Sequence, residues 1–388
     1  MRETLLILAT LAGLLLVGFP YRSLLRRWGI PPAASLIVLG MLVPPLLGAA
    51  TPQAWLDARP TLSAVAFVIL LLRAGLAISP DTLRRIVGPA LVFGLVPVAA
   101  ELALATGIAR AVLLPSWPLA LLAGFLVAAV SPAVILPAML RRQERFPEDP
   151  RAVSQQIMGQ TVINAIAATI GILITLEAIA SPAGSPGARR LLLLLPAALL
   201  VGALAGSLAA AFLRTERLAD GGVRGGRAAA VLLGLVGAAL YLGAGRVPWM
   251  DGVTATLALA LAVRRRMGRD DVALRNALRR AWGVAEIVLF TNLGSAIRLE
   301  ALADVGTVGM ALPLLAAAVG GRWVVARVLA RRFPFTPDER HLVAVSNLPK
   351  ATIQAVFGAL PLLTFAELRP GLVAQGEVLL VLAALAIV

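Results

Sequence analysis

Two charged side chains, Glu101 and Arg322, lie well inside long apolar stretches and could take part in moving an ion or a proton. A charge at the centre of a membrane helix costs about 2.5–3.5 kcal/mol on insertion scales, so such charges are usually paired or functional. A carboxylate binds a cation when it is ionised and a proton when it is not, which makes the two compete for one group. We therefore predict that Glu101 and Arg322 belong to an ion- or proton-binding site.

Uncharged polar side chains form a second candidate group. Gln156, Gln160 and Asn164 recur every four residues and share one face of a predicted helix. The oxygens of Asn164, Thr161 and Ser131 could replace water around a cation, but none of them can hold a proton. Amides in membrane helices also hydrogen-bond between helices, and both interpretations stay open.

An apolar stretch interrupted by prolines must help to position these groups. Trp117–Leu140 contains Pro132 and Pro137, which remove backbone donors and free the carbonyls of Ala128 and Ala133. A broken helix within a bilayer is tolerated only where it is buried in protein or lines a polar cavity. The alternative for this stretch alone is a simple proline kink.

A second interruption favours a transporter over a kink. Asn347–Thr352 contains Pro349, which frees the carbonyl of Val345, and Lys350, the only lysine of the chain. Lys350 follows Arg340 by ten residues, about 15 Å along a helix, which places it near the membrane centre. Two interrupted helices in corresponding places of two halves indicate a secondary transporter with inverted repeats.

The composition indicates a membrane protein that crosses the bilayer many times. Of 388 residues, 60% are hydrophobic and 14% are charged, and the mean hydropathy of +0.91 is far above that of soluble proteins. The chain has no cysteine and a single histidine, His341, which excludes disulfides, thiolate metal sites and multi-histidine metal sites.

The basic residues follow the membrane topology, so the net charge of +15 does not indicate nucleic-acid binding. Apolar windows predict thirteen spans, at 3–19, 32–49, 61–79, 88–112, 117–140, 153–178, 191–213, 226–244, 249–263, 281–298, 302–330, 340–364 and 374–388. Loops after the odd-numbered spans hold 23 of the 35 basic residues, whereas the N-terminus and the other loops hold 8. By the positive-inside rule, the N-terminus lies outside and the C-terminus in the cytoplasm.

The span count suggests one transmembrane domain made of two repeats. We predict a first repeat at about 1–180, a linker helix at about 191–213 and a second repeat at about 226–388. The broken span is then the fifth of each repeat. The last window has 15 residues, which is short for a crossing, and we expect the sequence to stop inside that helix.

Four segments, in order, resemble the monovalent cation:proton antiporter superfamily. The resemblance is to the animal-type sodium/proton exchangers of its second branch and their bacterial relatives. Arg73–Leu76, including Gly75, is similar to the motif that ends the third core helix of that group. Ser131–Leu140 and Leu348–Ala355 are similar to its two crossing helices, and Arg322 falls at the spacing of its buried basic residue.

The resemblance implies a thirteen-helix antiporter fold with a dimerisation domain and a mobile core domain. It also implies an elevator-like alternation, a homodimer in a bacterial inner membrane, and a transporter rather than an enzyme, with a monovalent cation and protons as its partners. In that group a membrane-embedded glutamate can pair with the buried arginine. We therefore expect a Glu101–Arg322 ion pair.

One position departs from the pattern of the group. Its ion-binding pair, Asp-Asp or Asn-Asp, aligns with Asn164-Ala165, so the aspartate that carries proton and cation in turn is replaced by Ala165.

Three hypotheses about the function follow from this replacement. The chain is a cation:proton antiporter in which Glu101 and Arg322 substitute for that aspartate. It is a protein of the same fold with changed chemistry, either a carrier that uses Arg322 and Lys350 for an anion or organic solute, or a passive leak. Or it retains the fold without transport.

Overall fold

The computed structural model of the protein describes residues 2–28, 32–47, 52–147, 149–180, 187–215, 222–244, 251–268, 272–295 and 304–387. Within these ranges the regular elements are helical. The α-helices, in chain order, are α1 Arg2–Arg27, α2 Pro32–Leu47, α3 Gln53–Ala77, α4 Pro80–Val112, α5 Trp117–Ala128, α6 Pro132–Arg145, α7 Val153–Ala180, α8 Gly187–Thr215, α9 Gly222–Ala244, α10 Gly252–Met267, α11 Val272–Ser295, α12 Val305–Leu329, α13 Pro337–Val345, α14 Thr352–Phe357, α15 Leu360–Leu368 and α16 Val373–Ile387. Two short 3₁₀ helices, Ala330–Arg332 and Pro370–Leu372, follow α12 and α15.

Every predicted apolar window coincides with a helix or with a broken helix. Among the described residues, nine segments are long and apolar enough to cross a membrane, and the pair α5–α6 counts as one of them. The other four windows correspond to the short α2, to α10 and α11 with their arginines, and to the stretch divided into α13, α14 and α15. The number of thirteen crossings stays a prediction.

The first interruption lies at the first of the two prolines. Helix α5 ends at Ala128 and α6 begins at Pro132, whose missing N–H costs nothing at the first position of a helix. Pro137 lies inside α6, which continues past it. The predicted break is therefore confirmed at Pro132, while Pro137 belongs to the second half of the crossing helix.

The second interruption is longer. Helix α13 starts with a capping box between Thr336 and Glu339, ends at Val345, and is followed by irregular chain up to Thr352. Pro349 and Lys350 both lie in this irregular segment, as the sequence predicts. Pro349 has no N–H to donate to the carbonyl of Val345. This carbonyl instead accepts a turn hydrogen bond from the N–H of Leu348 at 3.0 Å.

The chain forms two compact units, and each is built from two separate segments. Unit 1 comprises 1–80 and 192–297, and unit 2 comprises 81–191 and 298–388. Each unit takes one segment from each half of the chain, because helices that pack together are not consecutive in sequence. This grouping differs from the predicted division into repeats, which remains a prediction.

Unit 1 is held together by close packing of α3, α8, α9, α10 and α11 around an aliphatic core that includes Leu72 and Leu259. Gly75 permits this packing, since a Cβ atom there would lie 2.5 Å from the Cβ of Ala260 on α10. Arg73 is buried, and its guanidinium lies 5.8 Å from the ring centroid of Trp282. Both residues of the predicted Arg73–Gly75 motif thus lie in the core of unit 1.

Two glycines one helical turn apart let α8 approach the backbone of α10. Cβ atoms at Gly202 and Gly206 would lie 2.1 Å and 2.3 Å from the carbonyl oxygens of Ala255 and Leu259. We expect Gly206→Ala to destabilise the protein by about 1–3 kcal/mol, because the backbones must separate. Unfolding in detergent measures the change. Gly234→Ala on α9 is the matched control and should be neutral or slightly stabilising, because among the described residues a Cβ atom there would approach only its own helix backbone and chain neighbours within 4 Å. Equal effects of the two substitutions would contradict the prediction.

Unit 2 contains a buried core formed by α5, α7, α12 and α16, together with the short helices around the second interruption. The loop before α7 is ordered by Asp149. Its carboxylate accepts hydrogen bonds from the Arg142 guanidinium at 2.9 Å and from the backbone N–H of Val153 at 3.0 Å. These bonds join the end of α6 to the start of α7.

Asp149 gives a testable pH dependence. Partial burial raises the pKa of its carboxyl, but the hydrogen bonds from Arg142, Arg151 and Val153 outweigh burial, so the pKa lies below its usual value. A carboxyl with a lowered folded-state pKa stabilises the fold above its unfolded pKa of about 4 and loses that contribution as the pH falls through the folded value. We expect Asp149→Asn to be less stable than the parent at pH 7, with the difference shrinking below about pH 4. Unfolding at several pH values measures it, and a difference independent of pH would refute the assignment.

Candidate ion-binding site at the helix interruptions

The two interruptions meet inside unit 2. The backbone N–H of Ser131 donates to the carbonyl of Pro349 at 2.9 Å. The hydroxyls of Ser131 and Thr352 are 2.7 Å apart, and the N–H of Thr352 donates to the Ser131 oxygen at 3.3 Å. Residues 221 positions apart therefore pair their irregular backbones, which is how two broken helices satisfy polar groups away from water.

Carbonyls at the end of α5 find their partners in side chains from other helices. The carbonyl of Ala128, freed by Pro132, accepts from Arg322 at 2.7 Å and from the amide of Asn164 at 3.4 Å. Gln354 on α14 donates from its Nε2 to the carbonyls of Leu126 and Ala129, both at 2.8 Å. These bonds hold the end of α5 in place.

Asn164 and Thr161 are already engaged by the backbone. The Oδ1 of Asn164 accepts from the N–H of Val130 at 2.6 Å, so this amide connects α7 to the first interruption. The Thr161 hydroxyl donates to the carbonyl of Ile157 at 2.7 Å. Each oxygen retains a lone pair and could still contact a cation. The interhelical interpretation of the amides is confirmed for Asn164, and its role as an ion ligand remains a prediction.

Gln354 offers a direct test of the junction. Replacing it with Met keeps the size but leaves the carbonyls of Leu126 and Ala129 without this donor, and we expect a loss of about 2–4 kcal/mol in unfolding free energy. Gln375→Met on α16 is the matched control, because Gln375 is partly exposed and its Oε1 has no partner among the described residues. Denaturation in detergent compares the two variants, and similar losses would mean that the junction does not depend on Gln354.

Three charged side chains form a buried cluster beside the interruptions. An Arg322 terminal nitrogen on α12 lies 2.5 Å from Oε2 of Glu101 on α4. The Nζ of Lys350 lies 2.8 Å from both oxygens of that carboxylate; its hydrogen bond goes to Oε2, while the contact with Oε1 is ionic only. Glu101 and Arg322 are completely buried and Lys350 is 7% exposed. We call Glu101, Arg322 and Lys350 the charged cluster.

The charged cluster carries one negative and two positive charges. Isolated buried charges cost several kcal/mol each, so a carboxylate shared by two cations is the arrangement that makes this burial tolerable. Arg322 is further held by the side-chain oxygen of Asn347, 3.2 Å away. Of the two cations only the lysine can release its proton under ordinary conditions, because guanidinium groups remain charged. Within the cluster, Lys350 is therefore the cation that can give up a proton, while Arg322 keeps its charge. Among the described residues, no three His, Asp or Glu side chains gather as a metal site would require.

The structure brings together most of the residues that the sequence singled out. The predicted ion pair of Glu101 and Arg322 is present, and it lies next to a group of predicted residues: Ser131, Pro132, Asn164, Asn347, Pro349 and Lys350. Arg73 and Gly75 instead belong to unit 1. Ala165, in place of the expected aspartate, is 5% exposed and packs in the core of unit 2.

Two features of the site were not predicted. The first is the contact of Lys350 with Glu101, and the second is the role of Gln354, whose Oε1 also accepts the N–H of Ala351 at 3.0 Å. Gln354 lies three residues after Ala351, the N-cap of α14, which is the position of the Glu or Gln in a capping box. Because Ala351 replaces the usual Ser or Thr, the sequence carries only half of this signal. No signal in the sequence indicates which carboxylate Lys350 contacts.

Comparisons with known proteins identify relatives of this chain. The mouse protein sodium/hydrogen exchanger 9B1 is 28% identical over 337 residues, which cover 87% of this chain and 58% of the mouse protein. The human protein of the same name is 25% identical, over 87% of this chain and 64% of its own length. The chain thus spans about three fifths of the length of these curated relatives.

A solved structure shows the same fold. The sodium proton antiporter MjNhaP1 from Methanocaldococcus jannaschii at pH 8 matches with a TM-score of 0.72 and 17% identity, covering 99% of this chain and 96% of its own. Residues 11–388 match the family described as sodium/hydrogen exchanger, transmembrane, whose members are transporters and not enzymes. With helices long enough for several crossings, this chain is a multi-pass membrane protein that belongs to the sodium/hydrogen exchanger family.

Proposed function

We propose that the protein exchanges a monovalent cation for protons across a bilayer by alternating access. Na⁺ or Li⁺ is the expected cation, with K⁺ as a further candidate. The observation that carries this proposal is the fully buried carboxylate of Glu101, shared by Arg322 and Lys350 at the helix interruptions. The relatives are named sodium/hydrogen exchangers and the structural neighbour is named a sodium proton antiporter, which supports the same reaction.

In this proposal Glu101 and Arg322 substitute for the missing aspartate at position 165. Arg322 keeps the Glu101 carboxylate oriented by direct contact. Na⁺ binds the carboxylate as Lys350 releases its proton and leaves it, and oxygens of Asn164, Thr161 and Ser131 replace part of the cation's hydration. One proton leaves as one Na⁺ binds, so the charge of the site does not change. We therefore expect electroneutral exchange.

Proteoliposomes with a pH-sensitive dye test the reaction. After a proton gradient is imposed, addition of Na⁺, Li⁺ or K⁺ should relieve the quenching of the dye. The absence of any cation-dependent response would refute antiport. If the response occurs and Glu101→Gln leaves it intact, the carboxylate lies elsewhere.

Ala165→Asp tests whether the rest of the family site is functional. A carboxylate next to Asn164 would restore the Asn-Asp pair, and we expect faster cation-dependent proton flux. The matched control is Ala168→Asp, one helical turn further along α7 and fully buried. A gain that also appears in Ala168→Asp would show that any added carboxylate suffices.

The net positive charge of the cluster favours one alternative, a carrier for an anion or an organic acid. Two buried cations against one carboxylate would attract an anionic substrate. Uptake of radiolabelled anions by the same proteoliposomes, without a response to Na⁺, Li⁺ or K⁺, would support this alternative over cation antiport.

We further propose a homodimer in a bacterial inner membrane, with an outside N-terminus and a cytoplasmic C-terminus. The 23-to-8 distribution of basic residues supports the orientation. Reporter fusions at the two ends would test it, and the mass of the detergent-solubilised complex would test the dimer.

A further inference from the structure

Two amides on α7 have polar atoms that are buried without a partner. Gln156 and Gln160 are 2% and 1% exposed. The Nε2 of Gln156 and the Oε1 of Gln160 have no hydrogen-bond partner among the described residues. Leaving a buried polar atom unpaired costs the full desolvation penalty of that atom. Two such atoms on one helix face call for a ligand.

The hydrogen bonds of Ser346 determine how Gln160 is oriented. The Ser346 hydroxyl donates to the carbonyl of Val343 at 2.8 Å, so its oxygen can only accept from Gln160. It therefore receives the Nε2 of Gln160 at 3.2 Å, and the Oε1 of Gln160 must face elsewhere. The unpaired atom of Gln160 is thus an acceptor, and the unpaired atom of Gln156 is its Nε2, a donor.

We infer that water molecules bind along this face of α7 and carry protons from the inner end of the helix to the charged cluster. A water molecule can accept from the Gln156 N–H and donate to the Gln160 oxygen, whereas a cation cannot bind an N–H. Residues four apart are separated by about 6 Å along a helix, so one or two hydrogen-bonded water molecules can bridge their side-chain amides. The inference that the water conducts protons rests on the proposed antiport.

Polar contacts lead from Gln160 towards the charged cluster within unit 2, and the side chains of Ser346 and Asn347 both donate to the carbonyl of Val343. Gln160 contacts Ser346, and the adjacent Asn347 accepts from Arg322, which is bound to Glu101. From Val153 at the start of α7 to Asn164 the helix rises about 16 Å, roughly half the thickness of a bilayer core. The water line thus extends from the predicted inner face to the interruptions.

The absence of cysteine from the chain allows a direct test of the water. Single variants Gln156→Cys and Gln160→Cys are treated with Ag⁺, a small thiol-reactive ion, in purified protein. The controls are Ile157→Cys and Met158→Cys, which are equally buried at the same depth. We expect the two Gln positions to react about tenfold faster or more, since a hydrated path admits the ion. Equal rates would overturn the inference. If these variants fail to fold, an experimental structure of the unmodified protein provides the test. Water density within hydrogen-bond distance of Gln160 Oε1 would support the proposal, and the absence of such density would refute it.

A second experiment separates proton conduction from transport in general. Na⁺/Na⁺ isotope exchange needs no proton, whereas Na⁺/H⁺ exchange does. Gln160→Leu should slow Na⁺/H⁺ exchange about tenfold or more and leave Na⁺/Na⁺ exchange nearly unchanged, because only the proton path loses its water. An equal loss of both would assign Gln160 a structural role and refute the proton path. If the parent protein shows no antiport, the proposed function fails, while the Ag⁺ result still decides whether the path is hydrated.

Discussion

Glu101→Gln will leave Arg322 and Lys350 buried together without a counter-charge. Removing one partner of a buried ion pair typically costs about 3–5 kcal/mol, and here two cations lose the same carboxylate. We expect a loss of that size in the free energy of unfolding, and complete loss of cation-dependent proton flux. Unfolding in detergent and the proteoliposome assay measure the two effects. Glu177→Gln, the same change at a partly exposed position of α7, is the control and should cost little.

A double variant separates stability from transport. Glu101→Gln combined with Lys350→Gln restores the native net charge of the site, because Arg322 alone then carries the positive charge. We expect the double variant to recover part of the stability lost by Glu101→Gln, with a coupling of about 1–3 kcal/mol, but no transport. If Glu101→Gln costs less than about 1 kcal/mol, the carboxylate does not compensate the two cations in the folded protein.

Lys350→Arg should preserve the fold and abolish exchange. The guanidinium keeps the positive charge beside Glu101 but does not release its proton, so the step in which Na⁺ replaces a protonated lysine cannot occur. We expect a decrease in Na⁺/H⁺ exchange of about a hundredfold or more, with a small change in stability. The measurement is the initial rate of dye dequenching on Na⁺ addition.

Lys350→Met completes this test. It leaves a neutral Glu101–Arg322 pair, which we expect to fold and to fail in proton exchange. A near-normal rate in Lys350→Arg would show that Lys350 does not carry the proton, and would leave Glu101 as the group that alternates between a proton and a cation.

Local chemistry explains why the interruptions could be predicted. Pro132 and Pro349 break helices through their own ring and missing N–H, so their effect is readable from the neighbouring residues alone. The burial of Glu101 and Arg322 follows equally from the apolar stretches around them. Their pairing was predicted from the resemblance to the antiporter superfamily, because no local pattern relates two residues that lie 221 positions apart in the chain.

The remaining contacts depend on how the helices are rotated and shifted against one another. The sequence alone determined the class of protein, the helix interruptions, the face of α7 that carries the amides, and the absence of a carboxylate at Ala165. Only the tertiary structure decided that Lys350 shares Glu101 with Arg322, that Gln354 supports the end of α5, and that Asn164 binds the backbone of the first interruption. A hydrogen bond depends on the positions of atoms to within about half an ångström, and helix periodicity specifies a face but not the partner that faces it.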